Sequence, residues 1–491
     1  MADQLPALQV AVPLLAAPLV ALIRWKRGAW LLALLTSWAV LAMAVLLLRQ
    51  VLDEGTIVYA LGGWGAPFGI EYRVDLVSAY VLLVVAAIGA VVTPYAKASV
   101  EREVDPGRIP LFYSAFLLCL TGLLGITVTG DVFNLFVFLE ISSLSAYGLI
   151  AMGPDRRALH ASYKYLIMGS IGATFIVIGI GMMYIMTGTL NMVDLSLRLP
   201  EVSSRTESVA FAFLTVGISL KLALFPLHLW LPDAYTYAPS TVTTFLASTA
   251  TKVAVYMLVR FFFTIFGLLF SFETMTLHWV LTPLAILAIL SASLTAIYQQ
   301  NIKRLLAYSS VAQIGYMILG ISLATVTGLT AGLLHLFNHA LMKAALFMAM
   351  GAVMHQVGSV RMEAVQGLGR KMPWTMAGFV AGGLSLVGVP LTVGFISKWY
   401  LVLGAVEQGM WIVAFFVLVG SLLALIYVWK VVEAAYFRDY IGDLNVREAP
   451  LSLLLPMWVL VLANVYFGID ASLTAGVAGE AARALLGGGG P

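Results

Sequence analysis

Of 491 residues, 61% are hydrophobic and only 10% are charged, and the mean hydropathy is +0.98. A water-soluble domain carries about 25% charged residues, so a soluble globular fold is excluded. The net charge of +3 comes from basic residues scattered among loops, which argues against a nucleic-acid-binding surface.

Apolar stretches long enough to cross about 30 Å of hydrocarbon recur from end to end. No barrel-type alternation accompanies them, so the chain reads as an all-α polytopic membrane protein forming a single membrane domain over 1–491. The first stretch, Leu5 to Ile23, has no basic segment before it and is followed by Arg24, Lys26 and Arg27. It is a first span and not a cleaved signal peptide. In chain order the predicted spans are 5–23, 29–48, 74–95, 110–129, 131–152, 163–187, 208–231, 240–270, 279–298, 304–324, 328–355, 373–402, 410–436 and 449–468, about 14 in all. The single cysteine, Cys119, lies inside one of them. It is expected to be a small packing residue, since one thiol cannot build a disulfide, an iron–sulfur cluster, a haem attachment or a cysteine zinc site.

Loop charge supports this map. Sixteen Lys and Arg residues fall in loops after odd-numbered spans, among them Lys26, Lys97, Arg156, Lys303 and Arg370. Five fall on the other face: Arg49, Arg73, Arg198, Arg205 and Arg483. By the positive-inside rule both termini are expected on the non-cytoplasmic side of the cell (inner) membrane. The Gly487–Pro491 tail is expected to be disordered.

Six basic residues lie inside spans: Lys221, Lys252, Arg260, Lys343, Lys398 and Lys430. Glu140 and Glu433 join them. A charge at the bilayer centre costs at least ~2.5–3.5 kcal/mol, so such residues need a role or a partner. Glu140, Lys221, Lys252 and Lys398 are too deep to reach water along their own helices. A buried Glu–Lys pair is a natural proton switch, because a neighbouring proton tips it between paired and separated states. Inert ion pairing between helices is the competing reading, but one glutamate cannot neutralise several lysines. Arg260, near a span end, is expected to snorkel toward water. Lys430 and Glu433, three apart on one face, are expected to pair with each other.

Pro226 follows Lys221 by five residues, and Pro390 precedes Lys398 by eight. Proline removes a helix hydrogen bond, and broken helices at depth line cavities and mark ion sites. His335, His339 and Lys343 repeat every four residues, so one helix face carries three titratable groups. Two histidines at that spacing can chelate zinc, but no third ligand of the His-Glu-x-x-His kind follows, and neither metal nor cofactor is expected. His228, just after Pro226, is a candidate gate or a cap, with Asp233 in the short loop beyond it. The stretches 110–270 and 279–436 each hold five spans with a proline-broken lysine helix fourth in order. An odd number of spans inverts the second unit, so the fold is expected to contain two inverted five-helix repeats. The repeats would offer half-paths to opposite faces, joined by Lys252, His335, His339 and Lys343.

Several stretches carry a resemblance: Phe133-Asn-Leu-Phe-Val-Phe-Leu-Glu-Ile-Ser-Ser, Lys221 to Pro232-Asp-Ala, Ala238-Pro-Ser-Thr-Val, Asn301 through Tyr316, and Gly388-Val-Pro to Lys398. On these the chain resembles, over nearly its whole length, the antiporter-like subunits shared by Mrp-type cation/proton antiporters, respiratory complex I and membrane-bound hydrogenases. The resemblance implies that Glu140 pairs with Lys221 of a broken helix and that Lys252 is the central connecting lysine. It further implies that His335, His339 and Lys343 form the polar axis and that Lys398 is the exit-side lysine. The pattern is most similar to the D-type member of Mrp antiporters, since the middle complex I subunit usually has glutamate where Lys398 stands and the distal one adds a lateral helix. Implied partners are other membrane subunits, the bilayer, protons and sodium.

Three functions compete: a proton path in a multi-subunit sodium/proton antiporter, a proton-pumping module of a redox complex such as an NADH–quinone oxidoreductase or hydrogenase, and a passive scaffold. The line of buried lysines argues against the third. No Rossmann fingerprint or P-loop suggests catalysis by this chain itself, so an ion-transporter subunit and not an enzyme is expected.

Overall fold

A computed structural model describes residues 4–23, 25–202, 204–440 and 445–487. Arg24 and Gly488–Pro491 of the glycine-rich tail lie outside the described residues. The chain opens with α1 (Leu5–Leu22) and α2 (Lys26–Glu54), then a hairpin, β1 (Ile57–Ala60) and β2 (Glu71–Val74). Next come α3 (Leu76–Glu103), α4 (Ile109–Val128), α5 (Val132–Ala151), α6 (Arg157–Thr187), α7 (Met192–Val202), α8 (Arg205–Leu222), α9 (Leu231–Tyr237), α10 (Ser240–Ser248) and α11 (Ala250–Val259), which runs on into π-helical turns at Arg260–Ile265 and Leu269–Thr274. The remainder is α12 (His278–Ile297), α13 (Ile302–Ser322), α14 (Val326–Val357), short α15 (Met362–Val365) and α16 (Leu368–Lys371), α17 (Pro373–Val387), α18 (Val393–Glu407), α19 (Trp411–Phe437), α20 (Leu451–Ile469) and α21 (Ser472–Leu486).

Helices dominate because hydrocarbon offers no partner for a free N–H or C=O. Among the described residues, twelve helices are long and apolar enough to cross a membrane, one of them, Ser240–Ile265, interrupted between α10 and α11. Two further crossings are broken, α8–α9 and α17–α18, at the places Pro226 and Pro390 foretold. Three elements depart from the expected pattern. The β1–β2 hairpin pairs Ile57 with Val74 and Ala60 with Glu71 in the connection after α2. Helix α7 and helix α21 lie outside the fourteen spans; α21 buries Thr474, Val477, Ala478, Ala481 and Ala482, a stripe at helical spacing.

Helix α14 is the axis of the molecule. Every residue from Gly328 to Val353 is buried, as befits a helix enclosed all round. It packs against α3, α10, α13, α17, α18, α20 and α21. At its start the backbone approaches α13 closely: a Cβ on Gly320 would lie 2.7 Å from the Gly328 carbonyl.

The starts of α5 and α13 share one local design. Asp131 and Asn301 are their N-caps, accepting from the amides of Asn134 (2.7 Å) and Arg304 (3.1 Å). Val132 N donates to Leu190 O and Ile302 N to Val360 O, both at 2.9 Å. Met192 N returns to Gly130 O and Met362 N to Gln300 O, both at 2.8 Å. Gly188 and Gly358, each in a left-handed conformation, end α6 and α14. The same set of bonds therefore recurs at a constant interval along the chain.

Candidate functional site

Helix breaks expose backbone carbonyls at depth, and the buried lysines gather at them. Helix α8 ends at Leu222, where Ala223 takes a left-handed conformation (φ 60°), and Lys221 sits in that last turn. The negative end of the helix dipole and the unpaired carbonyls favour a cation there. Lys221 Nζ lies 3.4 Å from Glu140 Oε1 and donates to Ser143 Oγ at 2.9 Å. Its side chain is 3% exposed against 29% for Glu140, so the carboxylate faces outward from the pair.

A cavity of about 20 Å³, room for roughly one water, is lined by Lys221, Ser143, Tyr165, Leu246 and Ala250. Its wall therefore includes Lys221 on one side and, with Leu246 and Ala250, residues flanking a third break, between α10 and α11. Thr249 interrupts the helix there (φ −127°, ψ −58°), with neither proline nor glycine at the junction. Lys252 bonds the freed Ala247 carbonyl and reaches Thr251 Oγ1 at 3.3 Å. It is fully buried, and no carboxylate pairs with it among the described residues.

Helix α11, which carries Lys252, packs on α14, which carries His335, His339 and Lys343. Lys343 bonds the Leu306 carbonyl (2.8 Å) and Ser309 Oγ. His335 is held at both ring nitrogens, by Ser397 Oγ at 2.8 Å and Gln313 Oε1 at 2.9 Å. His339 stacks 6.1 Å from His335. Neither of its ring nitrogens has a protein partner, which leaves both lone pair and proton available to a neighbour or a water.

The second broken helix repeats the logic. Helix α17 ends at Val387, Gly388 turns the chain at φ +92°, and Pro390 precedes the start of α18 at Val393. Lys398 reaches back to the carbonyls of Leu386 (3.0 Å) and Val387 (2.9 Å) and to Ser421 Oγ (3.0 Å). Its Nζ lies 4.9 Å from the Tyr316 ring centre, and that ring is 5.6 Å from His335. Lys398 and His335 are thus joined through Tyr316 and through Ser397.

His228 is buried after the first break. Its ring stacks 5.3 Å from Phe225 and meets Tyr308 edge-on at 6.4 Å, and its Nδ1 is unpartnered. Asp233 is not in a loop: it lies in the first turn of α9, which begins at Leu231. Its carboxylate holds Lys164 at 2.9 Å and Arg304 at 3.2 Å.

Two expectations are corrected. Arg260 does not snorkel to water; it is 5% exposed and pairs with Asp75, the N-cap of α3, because that carboxylate lies closer than bulk solvent. Lys430 does not pair with Glu433. It bonds the carbonyls of Ile297 (2.8 Å) and Gln299 (3.0 Å), left open at the end of α12, while Glu433 turns to Arg438 at 3.1 Å. The partners Ser143, Ser309, Gln313, Tyr316, Ser397 and Ser421 escape sequence reasoning, since a serine in an apolar helix looks the same whether or not an ammonium faces it. Cys119 is buried and unpaired.

Known proteins share this framework. The sequence pattern described as NADH:quinone oxidoreductase/Mrp antiporter, TM, matches residues 129–424. The NADH-quinone oxidoreductase subunit N of Desulforudis audaxviator is 41% identical over 491 aligned residues, 96% of each chain. A Na(+)/H(+) antiporter subunit of Alkalihalophilus pseudofirmus, of the D type, is 31% identical, over 88% of this chain and 86% of that protein. Among solved structures, a chain of an archaeal membrane-bound sulfane sulfur reductase superposes with a TM-score of 0.91 at 31% identity, covering 98% of both chains. A chain of the Mrp complex of Dietzia sp. superposes with a TM-score of 0.89 at 27% identity, covering 99% of this chain and 97% of that one.

Proposed function

Because the chain belongs to the NADH:quinone oxidoreductase/Mrp antiporter family, we propose that it is the proton-translocating subunit of a multi-subunit sodium/proton antiporter. In this reading it works with other membrane subunits in the cell inner membrane, with both termini on the non-cytoplasmic side. Protons pass along Glu140, Lys221, Lys252, His335, His339, Lys343 and Lys398, with His228 and the breaks at Pro226 and Pro390 as gates. The stretches 110–270 and 279–436 act as inverted repeats, each supplying one half-path; the matching bonds at the starts of α5 and α13 support this.

One observation carries the reading: Lys221 stands 3.4 Å from Glu140 at a helix break and lines a water-sized cavity that Ala250 and Val253, on either side of Lys252 in the chain, also line. A proton reaching Glu140 removes its negative charge and frees Lys221 from its partner. The released ammonium then lowers the cost of deprotonating the next lysine by repulsion, since like charges disfavour each other in a low dielectric. The lysines at carbonyls hold their protons through neutral ligands, so each can load and unload without breaking an ion pair.

A second reading is a proton-pumping membrane subunit of a redox complex, with the electron-transfer centres on other chains. The 41% identity to an NADH-quinone oxidoreductase subunit N favours it. Both readings use this chain as a transporter subunit and not as an enzyme. Proton flux in vesicles holding the complete complex separates them. Sodium-driven flux without an electron donor supports antiport, and flux that needs a donor supports pumping. Full flux after Lys221→Ala would overturn both.

A further inference from the structure

A cavity of about 500 Å³ lies between the end of α2, the start of α3, α7 and the end of α21. It is at the membrane face opposite the lysine- and arginine-rich loops, since α2 starts and α3 ends among those loops. Its charged wall consists of Arg73, Asp75, Arg260 and Glu480. At its inner end Arg260 makes four side-chain contacts: the Asp75 carboxylate, Ser78 Oγ at 2.8 Å, Tyr256 Oη at 2.9 Å and Thr264 Oγ1 at 3.3 Å. Ser78 Oγ and Tyr256 Oη are themselves 3.0 Å apart, and Tyr256 donates to the Thr127 carbonyl at 3.1 Å.

Tyr256 follows Lys252 by one turn on the same helix face. Hydroxyls both donate and accept, so Ser78 and Tyr256 can pass a proton between Lys252 and the cavity. A plain ion pair tying α3 to α11 would need neither a large cavity on one side nor a buried lysine one turn away on the other. We propose that this cavity and the Asp75–Arg260–Ser78–Tyr256 cluster form a second proton port, which joins Lys252 to the basic-poor face through the first half of the protein. The port is closed in this structure: the guanidinium occupies the neck, and its fixed charge repels hydronium and sodium alike. Moving the Arg260 guanidinium off Tyr256 and Ser78, with its Asp75 pair kept, opens it.

This inference rests on Lys252 carrying protons, and the tests separate the two. In vesicles holding the complete complex, under a membrane potential and without exchange cation or electron donor, Arg260→Gln is expected to raise passive proton leak several-fold. Adding Tyr256→Phe to it is expected to return the leak to the wild-type level. Tyr256→Phe alone keeps the ring packing and is expected to slow proton flux. In a Cys119→Ala background, Thr264→Cys is expected to react with an impermeant thiol reagent from the basic-poor face only. Wild-type tightness of assembled Arg260→Gln vesicles overturns the port; if that variant does not assemble, unchanged flux in Tyr256→Phe or no labelling at position 264 overturns it instead. A retained effect of Lys221→Ala beside either result leaves the main axis standing.

Discussion

Lys221 and Glu140 meet at 3.4 Å across 81 residues of sequence, and the pair is lopsided: the lysine is enclosed while the glutamate keeps 29% of its side chain exposed. An ammonium that cannot reach solvent depends on its partner; a carboxylate at the edge can exchange a proton with whatever lies beyond. That difference gives the pair a direction. Glu140→Ala and Lys221→Ala are each expected to abolish transport in vesicles while leaving complex assembly intact. If both act through the one switch proposed above, the double variant should be no worse than either single one. Assembly measured by blue-native gels and flux measured in the same vesicles check this.

Lys398→Ala is likewise expected to abolish transport, since no other ammonium faces the carbonyls of Leu386 and Val387 among the described residues. Ser421→Ala removes one of its three hydrogen bonds. A bond to a charged group contributes about 1.5–3 kcal/mol, so transport should be slowed and not lost. Comparing initial flux rates of the two variants tests the order of their effects.

His339 separates a structural role from a proton-carrying one. Both ring nitrogens lack a protein partner in a fully buried site, and an unsatisfied buried polar group costs about 1–3 kcal/mol. His339→Phe should therefore leave thermal stability unchanged or slightly raised, yet cut proton flux strongly. Thermal unfolding followed alongside flux decides it; normal flux would remove His339 from the path.

Gly388 turns the chain at the second break with φ +92°, and an added Cβ would lie 3.1 Å from Lys398 Cδ. Gly388→Ala imposes a left-handed conformation on alanine, at a cost of about 1 kcal/mol or more, and pushes on the lysine. Lower thermal stability and reduced flux are expected together. Lys430→Met, whose hydrogen bonds among the described residues go to the carbonyls of Ile297 and Gln299, should by contrast leave flux near normal.

Much of this is legible in the residues alone because hydrocarbon is an unforgiving solvent. Every span has to be apolar and helical, so length and hydropathy mark twelve membrane-length helices among the described residues, and a charge at depth announces itself by its cost. Pro226 and Pro390 mark two breaks because a missing N–H cannot be hidden. The third break, at Thr249, carries no such mark. Nor do the hairpin, α7 or α21, which are too short to register as membrane-length apolar runs.

The sequence by itself determined which titratable side chains fall within apolar helices, in what order they occur, and that the chain is a helical membrane protein. The pairing of Glu140 with Lys221 was already implied by the family resemblance, but only the tertiary structure decided what the others touch: freed carbonyls for Lys252 and Lys398, Asp75 in place of water for Arg260. The reason is range. Solvation penalties are local and act on each residue wherever it is, whereas a hydrogen bond is made only with the group that packing brings within about 3 Å, and that group comes from a helix elsewhere in the chain.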